Sequence, residues 1–197
     1  MSKIARFFIN QKAFPNVGFL IFSEEETLNI EKRGNVTALY GENQKCLGYN
    51  IESEYFKDLK DGYHPVDEDL EDLLNRCLSE QGFEAFQCDK TPRIVIGYVQ
   101  SCEVHPDSDH LHVCQVDVGN EVKQIVCGAS NVCEGIKVVA ALSNAIMPNG
   151  KLIVPSALRG VPSEGMLCSE WELGLIQEKK RGILILDEDA VVGDSFF

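Results

Sequence analysis

The chain has 197 residues, enough for one domain or two small ones, each able to bury a core. Apolar residues make up 44% and charged residues 25%, which excludes a chain disordered throughout, and no apolar run nears the ~18 residues of a membrane span. A formal net charge of −13 counts against any polyanionic ligand unless cations are gathered locally, and splitting the chain does not help: residues 1–90 carry 10 basic and 17 acidic groups, residues 91–197 carry 8 and 14.

The first ten residues turn polar too early for the apolar stretch of a signal peptide, so a cytoplasmic location is expected. Short β-like runs follow at residues 5–9, 17–22, 36–40 and 46–51, separated by turn signals at Pro15-Asn16, Arg33-Gly34-Asn35 and Gly41-Glu42-Asn43. A helix is predicted over 67–81. Asp67 can cap it, Leu70, Leu73, Leu74, Cys77 and Leu78 recur at spacings of three and four, and Gly82 can stop it. Residues 88–92 read as a linker, because the residue before Pro92 is pushed out of helix. Residues 1–90 are therefore expected to form a small α+β domain, and no motif in them names a role.

From Ile94 the pattern is almost entirely β. Strands are predicted at 94–104, 111–118, 122–127, 136–142, 151–154 and 183–186, with Gly119-Asn120 as a tight hairpin turn. Several short strands with Gly-rich connections in about 100 residues suit a small all-β barrel over residues 91–197. The eight cysteines (46, 77, 88, 102, 114, 127, 133 and 168) form no C-x-x-C pair and lie mostly in apolar runs, which reads as free thiols acting as small hydrophobes in a reducing compartment.

Three segments carry candidate chemistry. His105-Pro106-Asp107-Ser108-Asp109-His110-Leu111 is a polar loop between strands, in which Asp107 and Ser108 can accept local backbone hydrogen bonds. Cys127-Gly128-Ala129-Ser130-Asn131-Val132 ends a strand in small residues, where backbone N–H groups with Ser130 and Asn131 could serve phosphate or ribose oxygens. Residues 158–169 gather Arg159, Gly160, Ser163, Gly165, Met166 and Ser169. They offer a guanidinium fork for phosphate, glycines that allow close approach, two hydroxyls and an adaptable apolar contact.

Those three segments, in that order and spacing, resemble the tRNA-binding domain family along residues 93–174. The family's H-P-x-A-D-x-L lies within 99–113, its C-G-A-x-N-V at 127–132 and its L-R-G-V-x-S-x-G-M-L-C-S at 158–169. Joined to an α+β leader of roughly 90 residues, the whole chain is similar to bacterial proteins of the YtpR type. The resemblance implies an OB-fold and a non-catalytic, cofactor-free protein whose ligand is transfer RNA. It implies Ser163 and Met166 as contact residues, with Arg159, Gly160, Ser169, Ser130 and Asn131 beside them. It also implies pairing into a homodimer, to which a tail ending in Phe196-Phe197 could contribute, and association with an aminoacyl-tRNA synthetase. Two departures remove positive charge: His110 stands where the family usually has lysine, and Ala157 lies near another expected cation.

Residues 111–118 and 122–127 contain no aromatic side chain, which argues against capture of single strands by stacking and for recognition of a folded RNA surface. Trp171 reads as partly buried cover for the 169–174 segment. The concentration of Cys102, His105, His110, His112 and Cys114 matches no paired metal-ligand spacing, so no metal site is expected, and no catalytic motif is found. The acidic balance favours a rival, a protein-interaction or chaperone-like module that uses the same barrel without RNA, and a third reading is a structural relative of the phenylalanyl-tRNA synthetase insert that assists a synthetase without touching RNA.

Overall fold

A computed structural model describes residues 2–197, which divide after Lys90 into two units. In the first, alternating apolar residues build a six-stranded antiparallel sheet of β1 (Arg6–Ile9), β2 (Val17–Ile21), β3 (Asn29–Arg33), β4 (Val36–Tyr40), β5 (Cys46–Glu52) and β6 (Gly62–His64). The strand order is β3-β4-β5-β2-β1-β6. One face carries Phe7, Ile9, Leu20, Ala38, Tyr49 and Ile51 into a core closed by Leu74, Cys77 and Leu78 of the α-helix α1 (Glu68–Glu80). Asp67 caps that helix, its carboxylate accepting from the Leu70 N–H at 2.9 Å.

One 13-residue α-helix against six strands makes this unit mostly β rather than the α+β domain expected. The strands missing from the expectation are β3 and β6. β3 has the sequence Asn-Ile-Glu-Lys-Arg, which shows no apolar alternation because it is an edge strand with nearly every residue exposed.

The β4–β5 ladder shifts register between Leu39 and Tyr40, beside Gly48. Gly48 has φ +155°, and a Cβ there would sit 2.1 Å from the Leu20 carbonyl oxygen. The neighbouring strand can approach only because no side chain is present.

The second unit contains β7 (Ile94–Val104), β8 (His112–Asp117), β9 (Val122–Cys127), β10 (Lys137–Leu142), β11 (Ser156–Leu158), β12 (Val161–Ser163), β13 (Gly165–Leu167) and β14 (Ile185–Leu186). The main sheet runs β13-β10-β7-β8-β9, with β14 also on β10, and β11 and β12 form a separate hairpin. Two bonds curl the sheet toward closure, from Glu164 N–H to the Gln124 oxygen (2.9 Å) and from Val126 N–H to Ser163 Oγ (3.0 Å). They set the free edge of β9 against the β12–β13 corner.

β10 is apolar throughout its middle because both its faces are covered. Val138 and Ala140 join Val99, Cys114, Val116 and Ile125 on one side. Val139 and Ala141 join Met147, Ile153 and Cys168 on the other. The segment expected as a strand at 151–154 contributes only an isolated bridge between Leu152 and Ile146. Conversely, the segment 158–169, read as a ligand loop, lies largely within three strands of three residues between 156 and 167, too short for periodicity to reveal.

Replacing Asp67 by Ala should cost about 1 kcal/mol through the lost cap. Gly48→Ala should cost more, about 2 kcal/mol or above, since overpacking adds to backbone strain. Urea unfolding followed by far-ultraviolet circular dichroism tests both, and the order of the two midpoints is the decisive reading.

Candidate nucleic-acid interface

A groove of about 780 Å³ opens in the second unit, where three separate stretches of chain meet. Gly128, Ala129 and Ser130 come from the end of β9, Met166 from β13, and Lys179, Lys180, Arg181 and Gly182 from the strap that leads into β14. His110 and Glu172 also line it. Met166 is half-buried and Ser130 is exposed, so both present atoms to a ligand.

The strap brings three of the unit's eight cations to one place. Lys179 Nζ lies 5.3 Å from the centre of the Trp171 ring. Lys180 Nζ is 3.8 Å from a Glu170 carboxylate oxygen, a loose and exposed pair. Arg181 is exposed and makes no ion pair among the described residues. Opposing them, Glu172 is partly occupied. Its Oε2 accepts from both the N–H (2.8 Å) and the hydroxyl (2.6 Å) of Ser169, while the Glu172 N–H donates to Ser169 Oγ at 3.3 Å. Three cations and the carboxylate of Glu172 therefore line this groove on an acidic body, and such a lining can hold a phosphate.

The remaining residues singled out in the sequence lie elsewhere or are already engaged. Ser163 is 2% exposed, and its hydroxyl accepts from Val126 N–H and donates to the Gly165 oxygen at 3.0 Å. It staples the sheet closure and offers nothing to solvent. Ser169 is engaged with Glu172 as described. Asn131 spends its carboxamide on one residue: Nδ2 donates to the Ile183 oxygen and Oδ1 accepts from the Ile183 N–H, both at 2.9 Å. That two-point clasp pins the cationic strap against the barrel.

Arg159 and Gly160 form the two-residue turn of the β11–β12 hairpin, both at positive φ (45° and 83°), a geometry that glycine accepts and arginine resists. Arg159 Nη1 donates to the Asp107 oxygen at 2.9 Å. His105, 3% exposed, donates from Nε2 to the Leu158 oxygen (3.0 Å) and accepts from Asp107 N–H at Nδ1 (3.0 Å). The His105 and Arg159 side chains thus lace the start of the first motif to the hairpin turn of the third, apart from the groove. What reading the sequence missed was Lys179-Lys180-Arg181. The signal was present, since no other three consecutive residues in the chain are all basic.

Among the described residues no cluster of three or more His, Cys, Asp or Glu side chains could hold a metal ion. Cys102 and Cys114 face each other across β7 and β8 with sulfurs 3.8 Å apart. Burial pushes the Cys114 thiol well above its ordinary value, and pushes Cys168 up to about 12.

A mostly β, two-unit protein with a cation-lined groove on its second unit is the class that fold and site define. The family model described as "Putative tRNA binding domain" matches residues 94–195, and one described as a domain of unknown function (DUF4479) matches residues 23–86. The "Putative tRNA-binding protein YtpR" of Bacillus subtilis is 43% identical over 176 residues, covering 87% of this chain and 88% of that one. The chain belongs to this family.

The phenylalanine–tRNA ligase beta subunit of Lactiplantibacillus plantarum is 53% identical over 111 residues, covering 53% of this chain but only 14% of that subunit. Among solved structures, a MetRS related protein from Pyrococcus horikoshii aligns with a TM-score of 0.39 at 24% identity, covering 52% of this chain and 86% of that one.

Asn131→Ala should remove both clasp bonds, cost about 1–3 kcal/mol, and raise hydrogen exchange at the Ile183 amide well above that of neighbouring β10 amides. Unchanged protection at Ile183 would refute the clasp. In native protein at pH 8, iodoacetamide should modify Cys133, the exposed thiol, first. Cys114, Cys127 and Cys168 should remain protonated and unmodified until the fold opens, as peptide mass mapping would show.

Proposed function

We propose that the protein is a non-catalytic RNA-binding protein whose second unit, residues 91–197, is an OB-type barrel that holds transfer RNA in the groove between Ser130, Met166 and the 179–181 strap. The observation that carries this reading is the gathering of Lys179, Lys180 and Arg181 at a groove, within a stretch matching the tRNA-binding family model, on a unit that is otherwise acidic. Phosphate contacts to these cations would supply the affinity through counterion release. Backbone N–H groups at 128–130 and the Met166 thioether would supply shape. Arg159 and Gly160, at their exposed turn, would be secondary contacts. Ser163, Ser169 and Asn131 would act by positioning the groove rather than by touching RNA.

Four finer features belong to the same reading. The curled sheet, closed by Ser163 and Glu164 against β9, suits an OB-fold. A homodimer is supported by Phe197, 67% exposed at the end of a tail whose Phe196 N–H is bonded to the Ile94 oxygen. Association with a synthetase is supported by the likeness to the ligase beta subunit. Eight unpaired thiols suit a reducing cytoplasm. The net charge of −13 favours the alternative of a peptide-binding module, and salt dependence separates the two.

Gel-shift titration of unfractionated tRNA across 50–300 mM salt tests the proposal. About three phosphate contacts should give a slope of log Kobs against log salt of roughly −2 to −3. Lys180→Ala with Arg181→Ala should weaken binding at least tenfold at 100 mM salt and flatten the slope by about 2 units. Ser163→Ala should lower stability by about 1–3 kcal/mol by orphaning the Val126 N–H, with little change in affinity for the protein that remains folded. Absence of a saturable complex at micromolar protein in low salt removes the proposal.

A further inference from the structure

The strap does more than border the groove, because Lys179 also lies over Trp171. Trp171 is 39% exposed and sits on the turn that Ser169 and Glu172 close, with the Gly174 N–H bonded to its carbonyl at 3.1 Å. Beside its ring is a second recess of about 230 Å³, walled by Pro148, Gly174 and Ile176 and rimmed by the amides of Asn149 and Gln177. Glu172 lines both this recess and the main groove, so the two adjoin at one residue.

The chemistry of the recess is that of a base-stacking site. An indole with a solvent-facing surface, apolar walls of proline and isoleucine, and carboxamides at the edge provide a stacking plane and hydrogen-bonding groups for a flat heterocycle. Asn149 Oδ1 already accepts from Lys151 N–H at 3.0 Å, which leaves its amide N–H groups to donate outward. Lys179, poised between the recess and the groove, can hold the phosphate attached to a base lying on Trp171. β8 and β9 carry no Phe, Tyr or Trp, and Trp171 supplies a stacking plane outside them.

Resting on the RNA-binding reading above, we propose that the Trp171 recess takes one unpaired nucleobase of the bound RNA. The duplex-like backbone lies along the 179–181 strap, and a loop or terminal nucleotide leaves the stack to lie against the indole. This adds a contact that backbone and shape recognition alone would lack, and it places the preference of the site on RNA with an unpaired nucleotide next to a folded stem.

Trp171 is the chain's single tryptophan, so its fluorescence reports on the recess alone. The full chain is titrated with an unmodified tRNA transcript while gel mobility and tryptophan emission are followed on the same samples. The expected result is a saturable complex whose formation quenches the emission by half or more and lowers acrylamide accessibility. Trp171→Leu should weaken binding about tenfold, the loss of one stacked base, and Trp171→Phe should restore most of it.

A complex that forms with unchanged emission and acrylamide accessibility overturns the stacking inference and leaves the groove reading intact. Wild-type affinity in a folded Trp171→Leu variant does the same. No complex overturns both. The wild-type emission reading does not depend on whether the variants fold.

Discussion

The clasp between the Asn131 carboxamide and the backbone of Ile183 decides what the second unit presents to its surroundings. Both hydrogen bonds lie at 2.9 Å, and they join the loop after β9 to a strap 52 residues later in the chain. A cationic segment such as 179–181 would otherwise be exposed loop, with each lysine free to point away from its neighbours. Held at Ile183, it is brought against the chain end of β9 and against Met166, and a groove exists because of that. A bond from the Ile183 amide to water would satisfy the amide equally well but would not fix a position. The carboxamide does both, because one side chain donates and accepts at once.

The same economy governs the charge. The protein carries a large negative excess, and its cations are too few to make a basic face. Concentrating three of them in a run lines one groove with cations without altering the overall balance. Under the proposed function this predicts a protein whose acidic body repels polyanions at distance while a short patch attracts them at contact. Such an arrangement limits non-specific binding and makes affinity depend on a fitted surface.

Much of the architecture was legible because the responsible force is local. The long strand Ile94–Val104, the pair His112–Asp117 and Val122–Cys127, and the helix behind Asp67 all show their periodicity directly, since each buries one or two well-defined faces. β3 was not legible because an exposed edge strand has no apolar face to advertise. The strands within 156–167 were hidden by shortness, and by glycines and serines that equally well describe a loop. A hydroxyl such as that of Ser163 has the same letter whether it faces solvent or caps a neighbouring strand. Only its bond to the Val126 N–H tells which.

By itself the sequence determined the division near residue 90, the β-rich character of the second half, and the three ordered motifs that place it among its relatives. Local hydrophobic patterning and residue type suffice for these. The tertiary structure decided which motif residues are available and which are structural: it withdrew Ser163, Ser169 and Asn131 into internal hydrogen bonds and set Arg159 on a turn apart from the groove. It also brought the 179–181 run, far along the chain and outside every motif, to the centre of the candidate site. The reason is physical: a binding surface is made by segments that meet only when the sheet curls and the chain returns, and no local pattern encodes where a distant segment will come to rest.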